Sequence, residues 1–128
     1  PFDVDGLTFV PLPVMHGENY KSFGYRFGDF SYVSDASAIP DRTAELIEGS
    51  EILVMDALRP GRPHRSHFTL EQSIEQARRF RARKTFFVDM THDVDHESTN
   101  VQLAQLADTD GLDVQLAYDG LKLDVDLP

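Results

Sequence analysis

The sequence predicts an α/β fold with a mixed β-sheet, and three features of the chain support this prediction. Residues 51–56 and 85–90 are apolar runs of the kind that form strands buried on both faces. Between them, residues 69–82 carry apolar side chains at helical spacing. Strand, helix, strand in this order favours a right-handed crossover and parallel pairing, so at least part of the sheet is expected to be parallel.

The N-terminal part of the chain predicts antiparallel strands. A β-prone run covers residues 7–15, and it is expected to be bent or at an edge because Pro11 and Pro13 cannot donate to a ladder. Residues 21–27 and 30–33 flank Gly28-Asp29, a two-residue hairpin turn. Residues 43–48 then predict a short helix closed by Gly49.

The C-terminal part alternates helices and strands. Thr69 and Gln72 form a capping box at the start of the helix over 69–82. Thr99 and Gln102 suggest a second capping box, opening a helix that runs to about residue 107. Residues 114–118 and 121–125 predict two strands joined by an Asp-Gly turn.

Length and charge limit the classes of protein that the chain can represent. At 128 residues, with 41% hydrophobic composition, one domain over residues 1–128 is expected. A net charge of −10 argues against binding nucleic acid or an anionic membrane by charge alone. The absence of cysteine excludes disulfides and a thiolate nucleophile. We expect a cytoplasmic protein, because the chain contains neither a signal-like segment nor an apolar run of membrane-spanning length; its opening without Met suggests that it begins in mid-sequence.

Polar residues are placed where the predicted strands end. His16, Asp35, Asp56 and His92 each terminate an apolar run, and the other histidines, His64, His67 and His96, lie in nearby loops. Loops beyond strand ends are where α/β proteins bind ligands, and imidazole with carboxylate suits zinc, manganese or iron. Each residue taken alone also fits an ordinary loop, cap or turn role.

The order of these motifs resembles the second half of a metallo-β-lactamase superfamily hydrolase. The likeness is strongest to the cyclic-phosphodiesterase-like branch that includes the phosphonate-operon phosphodiesterase, and ribonuclease Z is more distant. It is carried by Val14-Met15-His16-Gly17, Tyr32-Val33-Ser34-Asp35, Leu53-Val54-Met55-Asp56, Ser66-His67-Phe68 and Met90-Thr91-His92-Asp93-Val94-Asp95-His96. The resemblance implies half of an αββα sandwich, in which this chain supplies one mixed sheet with its flanking helices.

The resemblance also implies a site with two divalent metal ions, zinc or manganese above all. His16 would ligate one ion, Asp35 would bridge both, and His92 would ligate the other. His67 would face the scissile phosphate and assist proton transfer, and His96 would orient groups or face the substrate. The expected substrate is a small phosphodiester or cyclic phosphate.

A basic loop lies beside these residues. Arg59, Arg62 and Arg65 surround His64 and reverse the acidity of the chain locally. We expect His64 and Arg65 to contact substrate, although a solvated basic loop is the alternative.

The chain departs from the family in one large respect, because the His-x-His-x-Asp-His motif is absent from these 128 residues. The isolated chain should therefore bind metal weakly or not at all. The inner face of its sheet, including Ile52, Val54, Phe86 and Val88, should be exposed and should force association. A homodimer, a complex with a separate N-terminal half, and a fragment of a longer protein all fit.

Three functions stay open on the sequence alone. The first is a phosphodiesterase-like metal-dependent hydrolase that becomes active when the missing half is supplied. The second is a non-catalytic half-domain that serves as an interaction or structural module. The third is an unrelated small α/β domain whose histidines are accidental.

Overall fold

A computed structural model describes residues 1–127, which form one seven-stranded mixed sheet with helices. The strands are β1 (Phe2–Val4), β2 (Leu7–Met15), β3 (Lys21–Phe27), β4 (Phe30–Val33), β5 (Ile52–Asp56), β6 (Lys84–Val88) and β7 (Val114–Leu116). The helices are α1 (Asp41–Ile47), α2 (Leu70–Phe80), α3 (His96–Ala104) and α4 (Leu106–Asp110). Strand order in the sheet follows chain order; β1 to β4 pair antiparallel and β4 to β7 pair parallel. The predicted α/β class and mixed sheet are confirmed.

The first hairpin explains how two prolines fit inside β2. Strand β1, which the sequence analysis did not predict, pairs only with the start of β2, from Phe2↔Phe9 to Val4↔Leu7. Pro11 and Pro13 lie beyond that stretch, where β2 pairs with β3 alone. On the side of β2 that faces no strand, the missing N–H groups of the two prolines therefore lose no hydrogen bond. This stretch of β2 is an edge, as predicted.

One face of the sheet packs against the helices. Side chains alternate along each strand, so Leu53 and Met55 on β5 and Phe87 on β6 point to the same side and are fully buried. Helix α2 begins at the predicted capping box, in which Thr69 Oγ1 accepts from the Gln72 N–H. This layer forms the main core.

The opposite face is covered over β5 and β6 by the C-terminal tail. Ile52, Val54 and Phe86 are 5%, 4% and 2% exposed, so the expectation that they would lie open was wrong. Alternate tail residues pack on them, namely Ala117, Leu121, Leu123 and Val125. The partner face for this half of the sheet thus comes from the chain itself.

The same face stays open over the N-terminal strands. Tyr25 pairs with Tyr32, and Tyr32 pairs with Val54, so the two tyrosines share the side of Val54. We define the aromatic face as Phe2, Phe23, Tyr25 and Tyr32, whose side chains are 45%, 54%, 40% and 41% exposed. This is the part of the sheet that the tail does not reach.

Two C-terminal predictions were wrong in detail. Helix α3 begins at His96, not at Thr99, because Asp95 is the N-cap and accepts from the Ser98 N–H at 3.2 Å. Residues 121–125 are not a strand, although the predicted turn is present with the Leu121 N–H donating to the Tyr118 carbonyl at 3.0 Å. Instead of pairing with the edge strand β7, this segment buries alternate side chains on the face of the sheet.

None of the helices described in residues 1–127 is both long enough and apolar enough to cross a membrane.

Candidate metal centre

The carboxyl ends of several strands meet at one edge of the sheet. Strands β4, β5 and β6 are parallel, with Val33↔Met55 and Asp56↔Val88 in register. Strand β2 runs in the same direction as β4, because each pairs antiparallel with β3. The residues that follow these strands, His16 among them, are therefore delivered to one rim.

Three of these residues form a group that could hold a metal ion. Ligand atoms of His16, Asp35 and His67 all lie within 4.8 Å of one another. The two imidazole rings meet edge to face with centroids 4.9 Å apart. Two imidazoles and a carboxylate form a donor set that suits zinc or manganese, so the residues present fit a divalent cation.

His16 is oriented by a backbone carbonyl. Its Nδ1 lies 2.8 Å from the carbonyl oxygen of Ser66, which only accepts, so Nδ1 carries the proton. Nε2 then holds the lone pair in the neutral ring and is free to ligate. The next residue, Gly17, has a φ of 97°, and a Cβ at this position would lie 3.1 Å from Ser66 Oγ. Glycine therefore permits the close approach of Ser66 to the backbone after His16.

His67 is oriented by a buried carboxylate. Its Nδ1 lies 2.9 Å from Asp56 Oδ2, which also accepts from the Ala36 N–H at 3.1 Å. Asp56 is 0% exposed, and its Oδ1 has no hydrogen-bond partner within residues 1–127. Burial raises the pKa of Asp56 to about 6, although the His67 and Ala36 hydrogen bonds favour the ionised form. Asp56 therefore leaves the Nε2 of His67 available to the site.

Backbone strain and negative charge collect at the same rim. Asp35 and Asp89 both adopt positive φ, at 40° and 63°. Asp89 keeps contact with solvent, yet partial burial and the nearby charge of Asp35 raise its pKa. Partial burial, followed by Asp89 and Asp35, likewise raises the pKa of Tyr32. A cation placed here would relieve this repulsion.

Comparison with known proteins supplies the family. The sequence profile of the beta-lactamase superfamily domain matches residues 1–90, which is more than half of the chain. The chain belongs to this superfamily.

Three solved structures of superfamily-like fold resemble it. A diphosphatase of the PhnP family has a TM-score of 0.89 and 42% identity, over 98% of this chain and 46% of that one. The metallo-β-lactamase fold protein YhfI of Bacillus subtilis has a TM-score of 0.75 at 16% identity, over 94% and 51%. The short form of human tRNase Z has a TM-score of 0.67 at 16% identity, over 98% and 46%. The predicted membership of the metallo-β-lactamase superfamily and the half-sandwich fold are confirmed.

A curated relative is much longer. An octanoyltransferase of Porphyromonas gingivalis is 25% identical over 126 residues, which is 98% of this chain and 24% of that protein. The chain thus spans about half of the solved structures and about a quarter of this relative.

Two further histidines that the sequence analysis assigned to the site, His92 and His96, lie apart from the group of His16, Asp35 and His67. The His92 side chain is 98% exposed, with Nε2 3.9 Å from Asp93 Oδ1. His96 is the first residue of α3, with Nε2 3.2 Å from the Ala117 carbonyl oxygen and Nδ1 3.5 Å from the Asn100 amide. His16 and Asp35 are brought together as predicted, whereas the third member of the group is His67 in place of His92.

Asp89, which the sequence predicted to lie inside a strand, is a further member of this rim. Asp89 directly follows β6, as Asp56 ends β5, and that placement was a usable signal.

His64 and the arginines around it lie next to His67. The His64 and His67 rings have centroids 5.3 Å apart. The pKa of His64 is lowered by desolvation and then by His67, Arg59 and Arg65. The arginines supply the positive charge of this loop.

Proposed function

We propose that the chain carries part of the active site of a metal-dependent, phosphodiesterase-like hydrolase. The carrying observation is the group His16, Asp35 and His67, whose ligand atoms lie within 4.8 Å of one another. The 42% identity to a diphosphatase of the PhnP family supports the choice of a phosphoester substrate. Small phosphodiesters or cyclic phosphates are the proposed substrate class.

Each residue has a role that follows from its contacts. Bound divalent ions, two in the proposed centre, would lower the pKa of a water molecule and stabilise charge building on the attacked phosphorus. His16 offers Nε2 because Ser66 fixes its Nδ1, and Asp35 offers a bridging carboxylate. His67 offers Nε2 either to a metal ion or to the leaving oxygen as a proton donor.

His64 and Arg65 are the proposed contacts to the substrate phosphate. His92 is proposed as a further metal ligand, and His96 as a catalytic or substrate-facing residue. His92 would join the centre only after its loop closes, because its ring now lies in solvent. His96 would orient the segment around Ala117 and Asn100.

The other metal ligands would come from a second polypeptide segment. Three donors leave a binuclear centre short of the usual three or four per ion. The exposed aromatic face, Phe2, Phe23, Tyr25 and Tyr32, supports a docked partner layer, either a separate N-terminal half or a second copy.

Metal titration tests the proposed centre. Calorimetric titration of the chain with Zn²⁺ or Mn²⁺ should show binding that His16→Ala abolishes. His92→Ala tests the proposed further ligand: because its ring is 98% exposed in this chain, metal binding should match that of the wild type. Equal loss in both variants would place His92 among the ligands, and no binding in any protein would count against this chain's metal centre.

Chelator-dependent melting separates the hydrolase from the non-catalytic alternative. The chain alone and mixed with a candidate N-terminal half should be melted with and without chelator. A rise in Tm only in the metal-loaded mixture supports a completed enzyme, and melting indifferent to chelator favours a structural module. Tyr25→Ser should weaken the association, whereas Val101→Ser, also exposed but on α3, should not.

A further inference from the structure

A groove runs along the open edge of β2, beside helix α1. Its volume is about 450 Å³, which lies in the range of small-molecule sites. Apolar side chains form most of its walls: Val10, Pro11, Pro13, Met15, Pro40 and Leu46. The groove contains none of His16, Asp35 and His67, so it is a separate site from the candidate metal centre.

The backbone at this edge is unable to pair with another strand. The Met15 N–H donates to the Ala38 carbonyl at 3.0 Å, so the odd-numbered residues of β2 direct their backbone groups away from β3. Pro11 and Pro13 belong to the same set and have no N–H to offer. The Pro13 carbonyl already accepts from the Thr43 hydroxyl. A peptide therefore cannot be added here as a further strand.

The walls also differ from those that bind proline-rich peptides. Such peptides dock in grooves lined by aromatic side chains. None of the described residues that line this groove is aromatic. Leu46, on the α1 side of the groove, is 41% exposed. An aliphatic chain matches these walls, because it needs apolar contact and no hydrogen bonds.

Two cationic side chains line the same groove. They are Lys21, at the start of β3, and Arg42 on α1. Within residues 1–127, no carboxylate lies within ion-pair distance of either. Asp41 pairs with Arg79 instead of with its neighbour Arg42. On a chain of net charge −10, two unneutralised cations beside an apolar wall favour an anionic end group on the ligand.

We propose that this groove is a binding site for an amphiphilic carboxylate. The aliphatic chain of the ligand lies along the apolar walls, and its carboxylate contacts Lys21 and Arg42. Neither part of the ligand would suffice alone, because the walls offer contact without direction and two exposed cations bind an isolated anion weakly. The site lies outside the candidate metal centre, so it does not depend on the proposed hydrolase function.

Binding of probe amphiphiles to the metal-free chain tests the site. Chelator-treated protein is titrated calorimetrically with dodecanoate, with dodecyltrimethylammonium and with acetate, each below the concentration at which micelles form. Dodecanoate should bind at least about tenfold more tightly than the cation, because the two probes share a chain length and differ in charge. Acetate should show no saturable binding, because it has no chain to bury. Equal affinity for the two amphiphiles would overturn the proposal.

Paired substitutions locate the carboxylate. The double variant Lys21→Gln with Arg42→Gln should lose the preference for dodecanoate, and both side chains are exposed, so the fold should survive. Lys122→Gln with Arg62→Gln is the control, since it changes the net charge equally and neither residue lines the groove. Equal loss in the control would trace the preference to the overall charge of the chain and would overturn the site.

A substitution in the wall locates the aliphatic chain. Leu46→Gln should weaken dodecanoate binding by at least about fivefold, because it replaces apolar surface that the chain would cover. Val101→Gln, at an exposed position on α3, should leave the affinity unchanged. Wild-type affinity in Leu46→Gln would place the chain elsewhere and count against the groove.

A protein partner is the competing occupant of the groove. Addition of a candidate N-terminal half should leave the affinity for dodecanoate unchanged. Competition between the two would assign the groove to the interface and overturn the proposal. Zinc titration of the same protein keeps the two proposals apart, since failure to bind zinc would defeat the metal centre alone and failure to bind dodecanoate would defeat the groove alone.

Discussion

The two ends of the parallel strands differ in how well their polar groups are satisfied. At the amino end, Ser31 and Ser50 are buried and share a hydrogen bond of 2.7 Å, and Ser50 Oγ also donates to the Ile47 carbonyl. At the carboxyl end, buried Asp56 keeps an unpartnered oxygen, and Asp35 has a left-handed backbone. Since a buried polar atom without a partner reduces stability, the unpartnered oxygen of Asp56 indicates that the carboxyl end is shaped for a ligand.

The largest expected effect is on metal affinity at the carboxyl end. Asp35→Ala should weaken Zn²⁺ binding by at least about 100-fold, because it removes the carboxylate of the donor group. Asp29→Ala, an exposed aspartate before β4 at the amino end, should leave the affinity unchanged. Calorimetric titration measures the Zn²⁺ affinity of both variants. Equal affinities would contradict the assignment of the metal site to the carboxyl end.

The pH dependence of stability should report the buried carboxylate. The folded pKa of Asp56, about 6, exceeds its unfolded value of 3.8, so the folded state binds the proton more tightly. The stability that this proton gives is present below pH 4 and is lost as the pH rises through 6. Between pH 4 and pH 7 the wild type should lose about 1 to 3 kcal/mol relative to Asp56→Asn. Urea unfolding of both proteins across this range gives the difference, and parallel curves would contradict it.

Asp56→Asn should also weaken metal binding by about 10- to 100-fold, because an amide holds His67 less firmly than a carboxylate does. Zinc titration of this variant and of Asp35→Ala shows which of the two aspartates contributes more to zinc affinity. An unchanged affinity would mean that His67 needs no carboxylate partner.

A change at the amino end should affect folding without affecting the site. Ser50→Ala removes the partner of the Ser31 hydroxyl in a buried position and should cost about 1 to 2 kcal/mol of unfolding free energy. Zinc affinity should stay at the wild-type value. A parallel fall in zinc affinity would show that the two ends are coupled through the strands.

The smallest effect is expected at the exposed pair of the amino end. Arg83→Ala breaks a contact with Glu51 in which the side chains are 58% and 55% exposed, so the loss should be about 0 to 1 kcal/mol. Added salt should reduce even this difference, as denaturation at low and high ionic strength would reveal.

Local signals accounted for much of what could be predicted. The Gly28-Asp29 hairpin, the Thr69 capping box and the apolar run of β5 all depend on neighbours within a few residues, and all were predicted correctly. The start of α3 was missed because Thr99 and Asp95 both carry N-cap chemistry, and only packing decides between them.

Contacts between distant segments could not be predicted in the same way. His67 joins His16 and Asp35 because Asp56, 11 residues earlier, holds its ring and because Ser66 reaches His16 across 50 residues. The burial of Ile52, Val54 and Phe86 depends likewise on a tail from the far end of the chain.

By itself, the sequence determined the α/β class, the strand ends that carry His16 and Asp35, and the superfamily. The class and the strand ends follow from hydrophobic period and turn chemistry, which are properties of short stretches, whereas the superfamily follows from the resemblance of the motifs and their order. Only the tertiary structure decided which histidine lies beside His16 and Asp35, where Asp89 lies, and what covers the second face of the sheet. Those outcomes depend on how strands and loops pack in three dimensions, since side-chain distances of a few ångströms are fixed by register and burial.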